Sequence, residues 1–167
     1  MPVQPMPTLP NGSDVFLDTN IFVYGLSGTS PECWNLLRRC SEEQITGVSS
    51  YHVVSEVTHR LMCIEAQNKG LAGPNPRQVL NDHPERVRQL TDYWGDVEHL
   101  LSLNILFLTV DEETIRTANG ERQHYGFLNN DSLIVAFMRL YGITALASRD
   151  SGFARLPDMR VYSPTDV

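Results

Sequence analysis

Cysteine, lysine and long apolar stretches are all scarce in this sequence. It has three cysteines, an odd number that does not form an even disulfide framework. They also lack the C-x-x-C spacing of a cysteine-rich zinc site. Lys69 is the single lysine, so arginine supplies almost all of the positive charge. No apolar stretch approaches the length of about 20 residues that a membrane-spanning helix needs, so we expect no membrane association.

The first twelve residues are rich in proline and contain no basic residue. They lack the positive start and apolar middle of a signal peptide, so we expect a cytoplasmic protein. We interpret residues 1–12 as a flexible N-terminal leader. Residues 13–167 are then one domain, because a chain of this length supports a single substantial core.

Acidic residues outnumber basic ones by 20 to 13, and the net charge is −7. The overall basic character that is typical of nucleic-acid-binding proteins is therefore missing. This objection to a nucleic-acid partner weakens if several acids surround a metal ion, because a bound cation reverses the sign of the local charge.

Short apolar segments typical of buried strands alternate with amphipathic segments typical of helices. The predicted strands lie at 14–18, 45–48, 105–110, 143–148 and 161–162. The predicted helices lie at 19–26, 31–40, 49–66, 84–102 and 129–142, with a further one from 111. This alternation predicts an α/β fold, a three-layer α/β/α sandwich with a mostly parallel central sheet.

Four acidic residues lie where these elements begin or end. Asp18 and Asp150 each follow a predicted strand, and Asp131 lies at the start of an apolar helix. Glu56 lies in the first turns of another helix. Because ligands bind beyond the carboxyl ends of parallel strands, these acids could converge on one pocket. Their mutual repulsion would be costly without cations, and Mg²⁺ and Mn²⁺ favour carboxylate oxygens.

Each acid also has a purely structural interpretation. Asp18 and Asp131 could cap helices, and Asp150 could be a turn residue. Glu56 could be a solvated surface charge. All five histidines are assigned structural or surface roles, since no H-E-x-x-H pattern occurs. Position alone does not decide between these interpretations, so the sequence around each acid has to decide.

The four acids lie in recognisable sequence contexts. The segments are Val-Phe-Leu-Asp-Thr-Asn-Ile-Phe-Val-Tyr at 15–24, Val-Ser-Glu-Val at 54–57, Asn-Asp-Ser-Leu-Ile-Val-Ala at 130–136 and Leu-Ala-Ser-Arg-Asp-Ser-Gly-Phe at 146–153. In this order they resemble the motifs of the PIN-domain family, and in particular of the VapC-type toxin ribonucleases of type II toxin–antitoxin systems. The resemblance spans most of the chain.

The resemblance implies hydrolysis of phosphodiester bonds in RNA by an acidic quartet that uses Mg²⁺ or Mn²⁺. The catalytic residues would be Asp18, Glu56, Asp131 and Asp150. Asp18 and Asp131 would hold metal. Asn20 would orient Asp18 or a coordinated water, and Ser148 would replace the usual threonine beside the pocket. A cognate antitoxin and a homodimer are also implied.

Two features depart from the family pattern. The family often has a second Asp before the final Phe, where this chain has Gly152, so the fourth acid is placed at Asp150. The segment 67–89 is also longer than in the smallest members, and its role is open.

Two other functions compete with the nuclease. An aspartyl-phosphate phosphatase also places an Asp after its first strand, but it needs a second Asp where this chain has Asn20. A catalytically weak PIN-like scaffold could instead bind RNA or protein without cutting. Metal-dependent cleavage of RNA distinguishes the nuclease from the scaffold.

Overall fold

The structure is a computed structural model that describes residues 3–167. Its six strands are β1 (Gln4–Pro5), β2 (Asp14–Leu17), β3 (Thr46–Ser50), β4 (Ile105–Leu108), β5 (Ala145–Ala147) and β6 (Arg160–Ser163). They form one sheet in the order β1-β6-β5-β2-β3-β4, and each neighbouring pair is parallel. The prediction of a mostly parallel sheet is confirmed.

The helices cover both faces of this sheet. They are α1 (Thr19–Leu26), α2 (Pro31–Ser41), α3 (Tyr51–Asn68), α4 (Pro76–Asp82), α5 (Pro84–Val87), α6 (Asp92–Ser102), α7 (Glu112–Tyr125) and α8 (Asn129–Tyr141). Right-handed crossovers place α1 to α6 on one face, because the chain moves from β2 through β3 to β4. The return from β4 to β5 places α7 and α8 on the other face. The predicted three-layer sandwich is confirmed.

The core lies between these layers. The apolar residues of β2 are fully buried, and Phe16 stacks on Phe137 of α8 with ring centroids 6.1 Å apart. Continuous apolar sequence in β2 is therefore explained by a strand with helices on both faces. Within residues 3–167, no helix has both the length and the apolar character to cross a membrane.

Residues 3–12 are part of the fold, so the prediction of a flexible leader over residues 1–12 is wrong for them. Strand β1 pairs with β6 at the edge of the sheet. Met6 and Leu9 are each 2% exposed and belong to the main core. These two apolar side chains fix the segment, and the domain begins before residue 13. Residues 1 and 2 lie outside the described part of the chain.

The single helix predicted over 84–102 is also wrong, because residues 88–91 interrupt it between α5 and α6. Helices α4 and α5 instead close a small second core, in which Leu80 and Leu90 pack with Ala66 of α3. The segment 67–89 is thus an ordered extension that packs on the C-terminal half of α3.

Glu65 determines where α6 begins. Its buried carboxylate accepts hydrogen bonds from the N–H groups of Thr91, Asp92 and Tyr93 at 2.7, 3.1 and 2.8 Å. These N–H groups have no partner within the helix, so Glu65 caps the positive end of α6 from outside. Burial raises the pKa of Glu65, but Lys69 at 2.5 Å and the three N–H groups outweigh burial and lower the pKa to about 2.

Candidate active site

A cleft lies at the carboxyl ends of the central strands. Strands β2 and β5 are neighbours there, and the chain leaves them toward opposite sides of the sheet, which is the usual place for a ligand site. The cleft has a volume of about 420 Å³. The side chains that line it include Asp18, Asn20, Glu56, Arg60, Leu128, Asn130, Asp131 and Asp150. All four predicted acids therefore meet in one cleft.

Asp18 ends β2 and begins α1. The parallel register pairs Leu17 with Ala147, which brings Asp18 beside Ser148. The Asp18 carboxylate accepts the Thr19 N–H at 2.6 Å, so the capping interpretation is correct locally. Its other oxygen accepts the Ser148 hydroxyl at 2.6 Å. A carboxylate that is only 7% exposed is thus held rigidly at the base of the cleft.

Asn20 and Ser148 connect the two strand ends. The Asn20 amide donates to Asp18 at 2.5 Å, and its Oδ1 accepts the Arg149 N–H at 2.8 Å. The Ser148 hydroxyl accepts the Asp150 N–H at 2.9 Å. These bonds fix the backbone after β5 relative to Asp18. Asn20 and Ser148 therefore both bond to Asp18, and of the two alternatives for Asn20 the structure shows contact with Asp18.

Glu56 is fixed from the opposite side of the cleft. The Asn130 amide donates to Glu56 Oε2 at 3.0 Å, and Asn130 Oδ1 lies 3.0 Å from His52 Nε2. Because this amide orientation presents an oxygen to His52, the Nε2 atom must carry the proton. A hydrogen-bonded relay therefore runs from His52 of α3 through Asn130 of α8 to Glu56 of α3. Glu56 is thus not a freely solvated charge.

Asp131 is the third residue of α8, whose N-cap is Leu128. The interpretation of Asp131 as a cap is therefore wrong. Its carboxylate accepts no hydrogen bond from any group among residues 3–167. Burial raises the pKa of Asp131, and repulsion from Asp150 and Glu56 adds to the effect. No structural bond explains an acid at this position.

Asp150 caps a short 3-10 helix over Ser151–Arg155 and accepts the Gly152 N–H at 2.6 Å. The turn interpretation is therefore correct for its backbone, although its side chain also lines the cleft. A Cβ on Gly152 would lie 2.9 Å from Asp150 Oδ1 and 3.2 Å from a guanidinium nitrogen of Arg155. The Asp150 side chain thus occupies the space that a second acid in this turn would need.

The acids act on one another electrostatically. Burial is the main cause that raises the pKa of Asp18 from 3.8 to about 6. The bonds from Ser148 and Thr19 oppose this rise, and repulsion from Glu56 and Asp131 increases it. Holding these acids charged together is unfavourable, and a cation in the cleft would remove the cost.

The arrangement fits a hydrated cation better than a cage of protein ligands. No group of three or more histidine, cysteine or acidic side chains in residues 3–167 is arranged to bind a metal ion by itself. Mg²⁺ usually keeps several waters and binds through one or two carboxylates together with phosphate oxygens. The pKa values of Asp18 and Asp131 are both raised, so a cation in the cleft would favour the charged form of each carboxylate.

Comparison with known families agrees with this geometry. The family model described as PIN domain matches residues 15–159, which is most of the chain. The chain belongs to the PIN domain family. The match includes all four acids, the polar residues around Asp18 and the extension over 67–89.

Individual relatives share this PIN domain over nearly their whole length. Ribonuclease VapC2 from Methanocaldococcus jannaschii is 26% identical over 150 residues, which cover 88% of this chain and 91% of that protein. A structure of VapBC2 from Rickettsia felis, bound to a DNA fragment from their promoter, covers 90% of this chain and 98% of that chain. Its TM-score is 0.58 at 17% identity. A toxin–antitoxin complex from Klebsiella pneumoniae covers 92% and 98%, with a TM-score of 0.56 at 16% identity. These two structures support the fold alone.

Sequence reasoning missed three polar residues of this PIN domain. Asn130 and His52 fix Glu56, and Arg60 lines the cleft. The signal for two of them is spacing, because His52, Glu56 and Arg60 follow one another at intervals of four on one face of α3. The bond between Asn130 and Glu56 joins residues 74 positions apart, and no local pattern predicts it.

Proposed function

We propose that this chain is a metal-dependent endoribonuclease that hydrolyses phosphodiester bonds of RNA in the acidic cleft. The observation that carries the proposal is the convergence of four carboxylates from separate segments. Asp18 is buried and Asp131 is half-buried, and burial raises the pKa of both. The similarity to a protein named as a ribonuclease supports RNA as the substrate. The catalytic residues are Asp18, Glu56, Asp131 and Asp150, with Asn20 and Ser148 in support.

Asp18 and Asp131 would hold Mg²⁺ or Mn²⁺, and Glu56 and Asp150 would act on its coordinated waters. When bound, the cation supplies activation of water and neutralisation of charge on the scissile phosphate. The protein's own side chains contribute by holding the carboxylates in fixed positions. Ser148 and Asn20 hold one oxygen of Asp18 in place, while Asn130 holds Glu56. No nucleophilic side chain is needed, because the attacking group is water.

We further propose that the nuclease is the toxin of a toxin–antitoxin pair, held in check by a cognate antitoxin. The relatives that are described as VapBC and toxin–antitoxin complexes support this partner. Helix α2 buries its apolar side chains in the core but leaves Trp34 45% exposed, and Trp94 of α6 is 50% exposed. The exposed sides of α2 and α6 are where we expect a partner chain, and the homodimer stays a prediction.

Incubation of purified protein with a mixed RNA pool tests the nuclease. We expect discrete products with Mn²⁺ or Mg²⁺ and none with chelator. A cleavage pattern that persists in chelator would contradict metal dependence. The scaffold alternative predicts binding without products under every condition.

Asn130→Ala should lower kcat by about tenfold to 100-fold, because outer partners of metal-binding groups typically have effects of this size. Removal of the amide frees Glu56 to rotate while all four acids remain. His52→Asn, which keeps a donor toward Asn130, should lose less activity than His52→Ala. Steady-state kinetics with thermal unfolding as a folding control measure both effects. Unchanged kcat in Asn130→Ala would show that the relay has no role in positioning Glu56.

A further inference from the structure

Arg60 is a cation without a partner in an acidic cleft. The side chains of three arginines, Arg60, Arg77 and Arg88, donate no hydrogen bond and form no ion pair within residues 3–167. The other arginines bond to protein groups. Arg60 lies one helical turn from Glu56, at the spacing that favours an ion pair, yet the pair does not form. Its guanidinium is therefore available to an anion that enters the cleft.

A second groove lies between α3 and the extension formed by α4 and α5. It has a volume of about 970 Å³ and is lined by His59, Met62, Arg77 and Val87 among others. His59 and Arg60 are consecutive residues of α3, so one turn of this helix contributes to the lining of both the acidic cleft and the groove.

The charge of the extension differs from that of the whole chain. Residues 69–88 contain four basic and two acidic side chains, whereas the chain carries a net charge of −7. Lys69 and Arg86 are bonded to protein groups, which leaves Arg77 as the unpaired cation on the groove. Exposed His59 adds a flat ring, which suits stacking of a nucleobase.

We propose that the groove binds the single-stranded RNA flank on one side of the scissile phosphate, with Arg60 and Arg77 each on a backbone phosphate. The proposal rests on the function proposed above. Guanidinium groups bind phosphate in a forked geometry, and unpaired arginines bind it without first breaking an ion pair. The extension over 67–89, whose role the sequence left open, is then the substrate platform of this nuclease.

Fluorescence anisotropy in chelator, with no cleavage, measures this binding. Labelled RNAs of about 5 and about 20 nucleotides bracket the length that one such platform covers. Arg77→Ala should weaken binding of the long RNA by about fivefold and leave the short RNA unchanged. Arg60→Ala should weaken both. Each substitution should reduce the slope of log K against log salt by about 0.7, the value for one phosphate contact on a single strand.

Arg88→Ala is the matched control, because Arg88 is an exposed and unpaired arginine of the same extension that lines neither the cleft nor the groove. It should bind both RNAs as wild type does. Equal losses in Arg77→Ala and Arg88→Ala would mean attraction by general charge and would overturn the proposal. So would wild-type binding by Arg77→Ala.

Kinetics with Mg²⁺ or Mn²⁺ separate this proposal from the nuclease assignment. On the long RNA, Arg77→Ala should raise KM with kcat unchanged, because the contact is distant from the reacting atoms. Arg77-dependent binding by a protein that cleaves no RNA would leave the groove correct and the nuclease wrong. Active cleavage with the same KM in wild type and Arg77→Ala would leave the nuclease correct and the groove wrong.

Discussion

Asp131→Asn should reduce metal-dependent cleavage of RNA by about 100-fold to 1000-fold, the loss typical of removing one group that stabilises charge in a transition state. The same substitution should stabilise the metal-free protein. Asp131 accepts no hydrogen bond within residues 3–167, so the amide loses no bond. We expect the removed repulsion with Asp150 and Glu56 to outweigh the favourable charge that an acid contributes in the first turn of a helix. Cleavage assays and thermal unfolding in chelator measure the two effects.

Glu113→Gln is the matched control, because Glu113 is exposed and lies in the first turn of α7, as Asp131 lies in the first turn of α8. It should leave cleavage unchanged and slightly lower stability, since it removes a favourable charge at a helix N-terminus. A lower Tm for Asp131→Asn in chelator would mean that this acid stabilises α8. Full cleavage by Asp131→Asn would reject the assignment of the quartet.

Glu65→Ala should lower the free energy of unfolding by about 3 kcal/mol, because each of three N–H donors left without an acceptor costs about 1 kcal/mol. It leaves three N–H groups of α6 and the Lys69 ammonium without their acceptor. Glu65→Gln should lose less, because its oxygen still accepts hydrogen bonds. Urea unfolding at pH 7 measures both variants, and Glu85→Ala, an exposed acid of α5, is the control.

The pH dependence of the free energy of unfolding tests whether the charge on Glu65 causes this loss of stability. Its pKa is lowered to about 2 in the folded protein, so its stabilisation is complete above the ordinary value of 4.5 and is lost as the pH falls toward 2. The difference between wild type and Glu65→Gln should therefore shrink between pH 5 and pH 2. A constant difference over this range would mean that packing, not charge, makes Glu65 important.

Strand ends were the most informative part of the sequence for the site. Asp18 and Asp150 follow buried apolar strands, and parallel strands end at one edge, so their proximity follows from the pattern. The resemblance to known motifs supplied Glu56 and Asp131, which lie on helices. The relay that fixes Glu56 depends on a contact between α3 and α8, and such a contact exists only once both helices have packed.

The two errors in the fold have the same kind of cause. Strand β1 has two residues, one of them a proline, and forms only because β6 provides an edge. The interruption before α6 is imposed by Glu65, more than 20 residues earlier in the chain. A long-range partner decides each structure, so local periodicity predicts a loose leader in one place and a continuous helix in the other.

The pairing of β1 with β6 also bears on the order of folding. Strand β1 has its only strand partner in β6, so its place in the sheet does not exist until residues 160–163 have been synthesised. A second contact joins distant parts of the chain, since Asp166 accepts hydrogen bonds from the Ser30 hydroxyl and from the N–H of Glu32 at the start of α2. Because contacts this distant in sequence form late in folding, we expect the β1–β6 edge to be completed after the central strands.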